Sequence, residues 1–199
     1  MINATNGFIE PKKRFEAITK NNHPLDEVIS ALQKEIRRGK TEEAFYWALE
    51  LFESNFQRYL WKRLKVIANE DIGIANPQAI ILIDTLAREF DDFLKDERHG
   101  SARLCLANAI LYLTQSKKTR AADDLQGVVR LRRDLKNWRL TIPDYALDKH
   151  TKRGRILKRS WKHWIEEGCQ LENHDININV WADEANDLRQ KEPKQNELF

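Results

Sequence analysis

Apolar side chains recur at intervals of three and four residues along most of the chain, which is the spacing of one face of an α-helix. The first such run consists of Leu25, Ile29, Leu32 and Ile36. Pro24 stands at a first-turn position and Gly39 follows the run, and both residues are typical of the places where helices begin and end. The pattern therefore predicts a first helix between Pro24 and Gly39.

Six further helices are predicted from the same periodicity and from the turn residues between them. They cover residues 41–52, 56–69, 77–94, 102–114, 120–137 and 151–167. Thr41 and Ser101 occupy positions expected of N-terminal caps. The helix at 102–114 is apolar around most of its circumference, so we expect it in the centre of a bundle. The sequence thus predicts an all-α fold, a helical bundle.

The two ends of the chain differ from this helical part. We predict an N-terminal extension at 1–23, a helical domain at 24–168 and an acidic C-terminal segment at 169–199. The stretch 186–195 is polar, and at least its end is expected to be a mobile tail.

Basic charge is concentrated in one region, although the net charge of the whole chain is only +3. Residues 117–163 carry 15 Lys and Arg against 5 Asp and Glu, a net charge of +10. Aromatic residues interleave with these charges, a composition that favours phosphate contact combined with base stacking. The candidate nucleic-acid-binding residues are Lys117, Lys118, Arg120, Lys152, Arg153, Arg155, Arg159 and Lys162.

Two other interpretations of this basic region remain open. Trp161 and Trp164 lie three residues apart and can anchor a helix to the core, with the lysines and arginines solvated around them. Alternatively, the region neutralises the acidic C-terminal segment of the same molecule.

The chain lacks the features of a membrane or secreted protein. Its longest apolar stretches, such as 79–83, are too short to span a bilayer, and residues 1–10 lack a basic and apolar signal. Two cysteines, Cys105 and Cys169, are too few for a disulfide scaffold, so we expect free thiols. We expect a cytoplasmic protein without membrane contact.

Motifs for phosphate or metal binding are weak. Gly39-Lys40-Thr41 resembles the end of a P-loop, but the earlier glycine of that motif falls on Lys34, and the segment follows a helix. The simpler interpretation is a helix end followed by a cap. The five histidines lack the short spacings of zinc ligands, so we expect no metal and no cofactor.

Two pairs of adjacent acids, Glu70-Asp71 and Asp91-Asp92, are the remaining candidates for catalysis. Neighbouring residues on a helix point in different directions, which favours solvated or helix-end charges over a metal site. No catalytic set is identified, so we expect a protein that binds rather than an enzyme. The alternative is a metal-dependent nuclease, or another unrecognised enzyme, that uses Glu70, Asp71 and nearby acids.

Three runs resemble the C-terminal region of the RarA/MgsA family. They are ISALQKEIR at 29–37, AFYWAL at 44–49 and IANEDIGIANPQA at 67–79, and the weaker similarity extends over about residues 25–160. Members of that family are clamp-loader-like AAA+ ATPases of replication-associated recombination.

The resemblance implies a post-ATPase collar domain, which in this family assembles into tetramers. It implies a homo-oligomer that acts in DNA replication, recombination or repair, and a separate AAA+ ATPase is a possible partner. The 199 residues contain no Walker motif, so ATPase activity is not expected of them. A purely structural partner of such an ATPase, without DNA contact, is a further alternative.

Two more surfaces are candidates for partners. The last five residues resemble the Gln-x-x-Leu-Phe peptides that bind bacterial sliding clamps, with Gln195, Leu198 and Phe199 as the contact residues. The second predicted helix carries aromatic residues around much of its circumference, which favours self-association. These residues are Phe45, Tyr46, Trp47 and Phe52.

Overall fold

A computed structural model describes residues 17–173 and 181–191. The described residues confirm the all-α prediction, because they form helices and turns and no strand beyond a single bridge between Ile18 and Pro24. They form two compact units, one ending at Lys136 and the other beginning at Asn137. The predicted boundaries at residues 23 and 168 stay predictions. None of the helices among these residues has the length and apolarity to cross a membrane.

Six α-helices form the first unit. They are α1 (Leu25–Arg37), α2 (Thr41–Glu53), α3 (Gln57–Ile67), α4 (Gln78–Lys95), α5 (His99–Gln115) and α6 (Ala121–Leu135). Between α3 and α4 the chain forms a π-helical turn at Ala68–Ile72 and a 3-10 turn at Gly73–Ala75. The six helices predicted between residues 24 and 137 all match these bounds to within three residues at each end.

Shorter elements form the second unit. They are a 3-10 turn at Asp144–Ala146, α7 (Lys152–Ile156), α8 (Trp161–His163), a π-helical turn at Trp164–Gly168 and α9 (Ala182–Lys191).

The core of the first unit is apolar and continuous through α1 to α5. α4 packs along α5, and α1 packs along α2. The largest fully buried side chains include Leu32 and Ile36 of α1, Leu64 of α3, Phe90 of α4 and Ile110 of α5. Burying a side chain of this size contributes roughly 1.5–3 kcal/mol each.

The helix predicted to be central, α5, packs against α1, α2 and α4. Its circumference is nevertheless not fully covered, because Leu104 is 66% exposed and Leu111 is 43% exposed.

The aromatic face of α2 differs from the prediction. Phe52 is buried, and its ring lies edge-on to Phe90 with centroids 5.4 Å apart. Phe45 and Trp47 are half-buried against the core, and Tyr46 alone of the four is exposed. The prediction that α2 exposes Phe52 for self-association is therefore wrong, because that ring is part of the core of the first unit.

The segment Gly39–Thr41 is a helix-to-helix turn, as the simpler interpretation predicted. Gly39 adopts φ +70°, and the Lys40 N–H donates to the Glu35 carbonyl at 3.0 Å. This is the hydrogen-bond pattern of a Schellman motif, which satisfies carbonyls at a helix end.

Neither predicted cap is confirmed. Thr41 is the first residue of α2, and its hydroxyl bonds the Thr114 hydroxyl at 2.9 Å instead of a backbone N–H. Ser101 lies inside α5, because that helix begins two residues earlier at His99.

The prediction of a single helix at 151–167 is wrong, because the chain forms several short elements there. α7 ends after five residues because Lys158 adopts φ +56°, and the Arg159 N–H donates to the Gly154 carbonyl at 2.9 Å. The chain turns there and starts again at Trp161. Part of the polar stretch predicted at 186–195 is ordered, since α9 extends to Lys191.

Candidate nucleic-acid interface

The adjacent acids Glu70 and Asp71 meet two arginines from distant parts of the chain. Arg37 of α1 donates through Nε to Asp71 at 2.7 Å and through Nη2 to Glu70 at 2.8 Å. Arg120 donates through Nη1 to the same two carboxylates at 3.1 Å each. The prediction of a solvated or helix-end charge is wrong for Asp71, because this residue is 2% exposed and its carboxylate is paired.

The π-helical turn explains why the prediction for these acids was wrong. A π-turn inserts a residue into the helical repeat and changes the direction of the side chains that follow it. Here both carboxylates converge on the same two guanidinium groups, those of Arg37 and Arg120, which neighbouring residues of a regular α-helix rarely do. Gln33 donates to Asp71 at 3.0 Å and accepts from Arg63 at 3.0 Å, which extends the network across α1 and α3.

This network leaves little room for a nuclease centre at Glu70 and Asp71. Guanidinium and amide groups occupy both carboxylates, and a divalent cation would have to displace them. Within residues 17–173 and 181–191, no group of three His, Cys, Asp or Glu side chains is placed to hold a metal ion.

Three of the predicted binding residues, Lys117, Lys118 and Arg120, belong to the first unit, and two of them already have internal partners. The Lys118 ammonium donates to the Thr114 carbonyl at 2.7 Å, and burial lowers the pKa of its amine. Arg120 binds Asp123 as well as the two network acids, and its hydrogen bond with Glu70 raises the pKa of its guanidinium. Lys117 is exposed.

The other five predicted residues belong to the second unit, where α7 presents three of them. Lys152, Arg153 and Arg155 are exposed within this helix of five residues. A cap fixes its start, because the Gly154 N–H donates to the Thr151 hydroxyl at 2.9 Å.

Gly154 packs α7 directly against the preceding backbone. A Cβ atom at this position would lie 1.6 Å from the Asp148 carbonyl oxygen. Only glycine permits this close approach. Asp148 also accepts from the His150 backbone and ring, and the hydrogen bond with that ring lowers the pKa of the Asp148 carboxyl. These contacts fix the position of the α7 backbone, which carries the three exposed cations.

Arg159 is half-buried, whereas Lys162 is exposed, and each has a carboxylate nearby. One Arg159 nitrogen donates to both oxygens of Asp144 at 2.7 Å. Lys162 lies 3.8 Å from Glu166. Lys158, which was not in the predicted set, is exposed next to α7, where its charge adds to that of the helix.

Two tryptophans of this unit, Trp161 and Trp164, pack against each other, whereas Trp138 is 37% exposed and Trp181 is 67% exposed. The rings of Trp161 and Trp164 lie edge-on with centroids 5.3 Å apart, and the His150 ring contacts both. The Lys149 ammonium lies 3.5 Å from the Trp161 ring centroid, and the Arg189 guanidinium lies 5.1 Å from that of Trp164. Each of these two rings already has a cation against it, which counts against base stacking on them.

Comparison with known proteins identifies the family. The family described as MgsA AAA+ ATPase C terminal matches residues 39–171. The chain belongs to this family. The match confirms the resemblance to the RarA/MgsA C-terminal region, and the matched residues include α2 to α7 and the acids Glu70 and Asp71.

Two curated relatives carry the same name, replication-associated recombination protein A. The protein from Bacillus subtilis (strain 168) is 32% identical over 153 residues, which covers 71% of this chain and 34% of the relative. The protein from Haemophilus influenzae (strain ATCC 51907 / DSM 11121 / KW20 / Rd) is 28% identical over 142 residues, which covers 71% of this chain and 29% of the relative. The chain thus matches about a third of the length of these relatives.

The predicted clamp-binding residues, Gln195, Leu198 and Phe199, lie outside the described residues.

Proposed function

We propose that this chain is a non-catalytic, self-associating helical module of replication-associated recombination that binds nucleic acid through α7. The observation that carries the proposal is the set of three exposed cations on α7, held by a glycine contact and a threonine cap in a member of this family. Together with Lys158, the cations Lys152, Arg153 and Arg155 form what we call the α7 basic surface.

The chemistry of this surface suits phosphate rather than bases. Lysine and arginine side chains neutralise backbone phosphates and release counterions, which gives affinity that depends strongly on salt and weakly on sequence. The neighbouring tryptophans are already packed, so base stacking on them is not part of the proposal. We therefore expect binding that does not discriminate between sequences.

A salt titration of nucleic-acid affinity tests the α7 basic surface. We expect the Lys152→Ala/Arg153→Ala/Arg155→Ala variant to bind labelled DNA more weakly. Its slope of log affinity against log salt should be shallower by about one unit for each phosphate that the variant no longer neutralises. Fluorescence anisotropy at several salt concentrations measures both quantities.

The matched control replaces three exposed basic residues of the first unit, Arg58, Lys62 and Arg103, with alanine. It changes the net charge equally but should leave most of the slope intact. Equal slopes for the wild type and the α7 variant would contradict the proposed surface. No measurable affinity in the wild type would favour the alternative of a structural partner for a separate AAA+ ATPase.

The proposal includes self-association, which the family resemblance suggests in the form of a tetramer. It also includes a bacterial sliding clamp as a partner of the C-terminal peptide with Gln195, Leu198 and Phe199. Light scattering tests the first part, and a monomeric mass at all concentrations would contradict it.

A further inference from the structure

Helix α6 carries an exposed apolar stripe. None of its residues is buried, and four large apolar side chains are exposed along it. These are Leu125 at 65%, Val128 at 45%, Leu131 at 43% and Leu135 at 77% exposure. Ala121 continues the stripe toward the start of the helix. Contiguous apolar surface of this kind is a common sign of a protein interface.

The stripe is symmetric about Val128. Leu125 and Leu131 lie three residues to either side of it, and Ala121 and Leu135 lie seven residues to either side. Spacings of three and four residues keep all five on one side of an α-helix. Turning α6 end over end therefore brings apolar positions onto apolar positions.

The charges of α6 show the complementary pattern. Asp124 lies four residues before Val128 and Arg132 lies four residues after it, while Asp123 and Arg133 lie five residues before and after. The helix thus has an acidic first turn and a basic last turn. Turning it end over end brings acidic positions level with basic ones.

We infer that α6 is the self-association surface of this chain and pairs antiparallel with α6 of a second copy around a two-fold axis at Val128. In such a pair Leu125 is level with Leu131 of the other protomer, and Asp124 is level with Arg132 of the other protomer. An isologous two-fold contact requires a surface that is complementary to itself, and α6 meets this requirement in both apolar and charged positions. The inference rests on the self-association in the proposed function and names its surface.

Charge selects the antiparallel arrangement over the parallel one. A parallel pair would bring Asp124 level with Asp124 of the other protomer and Arg132 level with Arg132, which repel each other. A partner helix of uniform charge would likewise be repelled at one end of α6. The occupant that suits both ends is a second, reversed copy.

The size of the helix limits the strength of this contact. Fifteen residues span about 22 Å, at roughly 1.5 Å per residue. A pair of such helices buries less than the roughly 1,200–2,000 Å² of a standard stable interface. We therefore expect α6 alone to give weak dimers, so the measurement should reach concentrations on the order of 1 mM.

Charge reversal tests the pairing by sedimentation equilibrium. Asp124→Arg and Arg132→Asp should each raise the dissociation constant by about tenfold or more, because each places like charges level with one another at both ends of the pair. The double variant restores complementary charges and should recover most of the affinity. An equimolar mixture of the two single variants should associate more strongly than either alone. Circular dichroism checks that α6 remains helical in each variant.

A cross-link tests the position of the axis. In a Cys169→Ser background, Val128→Cys should form a disulfide between protomers under mild oxidation, since each residue at the axis faces its own copy. Leu104→Cys, an exposed apolar position on α5, is the matched control and should not cross-link to a comparable extent.

Two results would overturn the inference and have different meanings. If the chain self-associates but charge reversal and a Val128→Glu substitution leave the dissociation constant unchanged, α6 is not the surface, and self-association stands without it. If the wild-type chain remains monomeric at every concentration, self-association itself is wrong. The salt titration of nucleic-acid binding is independent of either result.

Discussion

The Asp71 carboxylate accepts hydrogen bonds from α1 and from the residue before α6, and its backbone carbonyl accepts from the Thr119 N–H at 3.0 Å. One residue in a π-helical turn thereby holds three parts of the first unit together. Because the side chain is 2% exposed, water has little access to the carboxylate and cannot readily replace these hydrogen-bond donors.

We predict that Asp71→Ala lowers the free energy of unfolding by about 2–4 kcal/mol, because it leaves the buried Gln33 amide and the Arg37 and Arg120 guanidinium groups without this carboxylate. Arg37 and Arg120 keep some solvent access, which holds the decrease below that of a fully buried pair. Chemical denaturation followed by circular dichroism measures the change.

Asp92→Ala is the control for Asp71→Ala, since Asp92 is 71% exposed and pairs with Lys95 on the surface. Exposed ion pairs contribute about 0.2–1 kcal/mol. Similar decreases for both variants would contradict the role assigned to Asp71.

Gly154 determines how closely helix α7 packs against the preceding backbone. Its missing side chain lets α7 approach the Asp148 carbonyl, and a Cβ atom there would overlap that oxygen. We predict that Gly154→Ala displaces α7, costs about 1–3 kcal/mol or more locally, and weakens nucleic-acid binding without any change of charge.

Hydrogen exchange of residues 147–159 and anisotropy with labelled DNA measure these two effects. Gly100→Ala is the control, because a Cβ at that position in α5 meets nothing within 4 Å. Unchanged exchange and affinity in Gly154→Ala would show that α7 does not depend on this contact.

Helix boundaries set by local signals were predictable from the sequence. Gly39 ends α1, and the apolar periodicity of α4 and α6 depends on residues close together in the chain. The break after α7 was not predictable in this way, because a lysine, Lys158, takes the left-handed position that glycine usually occupies. A second glycine signal, Gly154, lay within the predicted helix and marked a close contact rather than an end.

The candidate site was predictable as a count of charges but not as a surface. The pairing of Arg120 with Glu70 spans 50 positions, and that of Arg159 with Asp144 spans 15, so neither follows from local sequence. Phe52 shows the same limit, because its burial depends on Phe90 in α4. Composition indicated the basic region, and packing decided which of its cations face solvent.

At the scale of the whole molecule, the proposal combines a self-associating helix, a basic surface and a C-terminal peptide. In a self-associated assembly several copies of each weak binding site are linked together. Linked sites raise each other's effective concentration, so the assembly binds more tightly than one copy. A short peptide of modest affinity is useful in such an assembly. The predicted clamp contact belongs to this scale, since its effect depends on how many copies act together.

We predict that Leu198→Ala with Phe199→Ala reduces affinity for the sliding clamp of the same organism by about tenfold or more, because apolar anchors of this kind cost about 1–4 kcal/mol when truncated. Surface plasmon resonance with immobilised clamp measures the change, and circular dichroism should show an unchanged fold. Leu171→Ala with Leu188→Ala is the matched control, since both residues are exposed apolar side chains outside the peptide. If removal of residues 195–199 leaves clamp binding unaltered, or if the wild-type chain does not bind the clamp, the peptide is not a docking site. A decrease that appears only for the self-associated chain, and not for monomeric Val128→Glu, would instead show that several weak peptides act together.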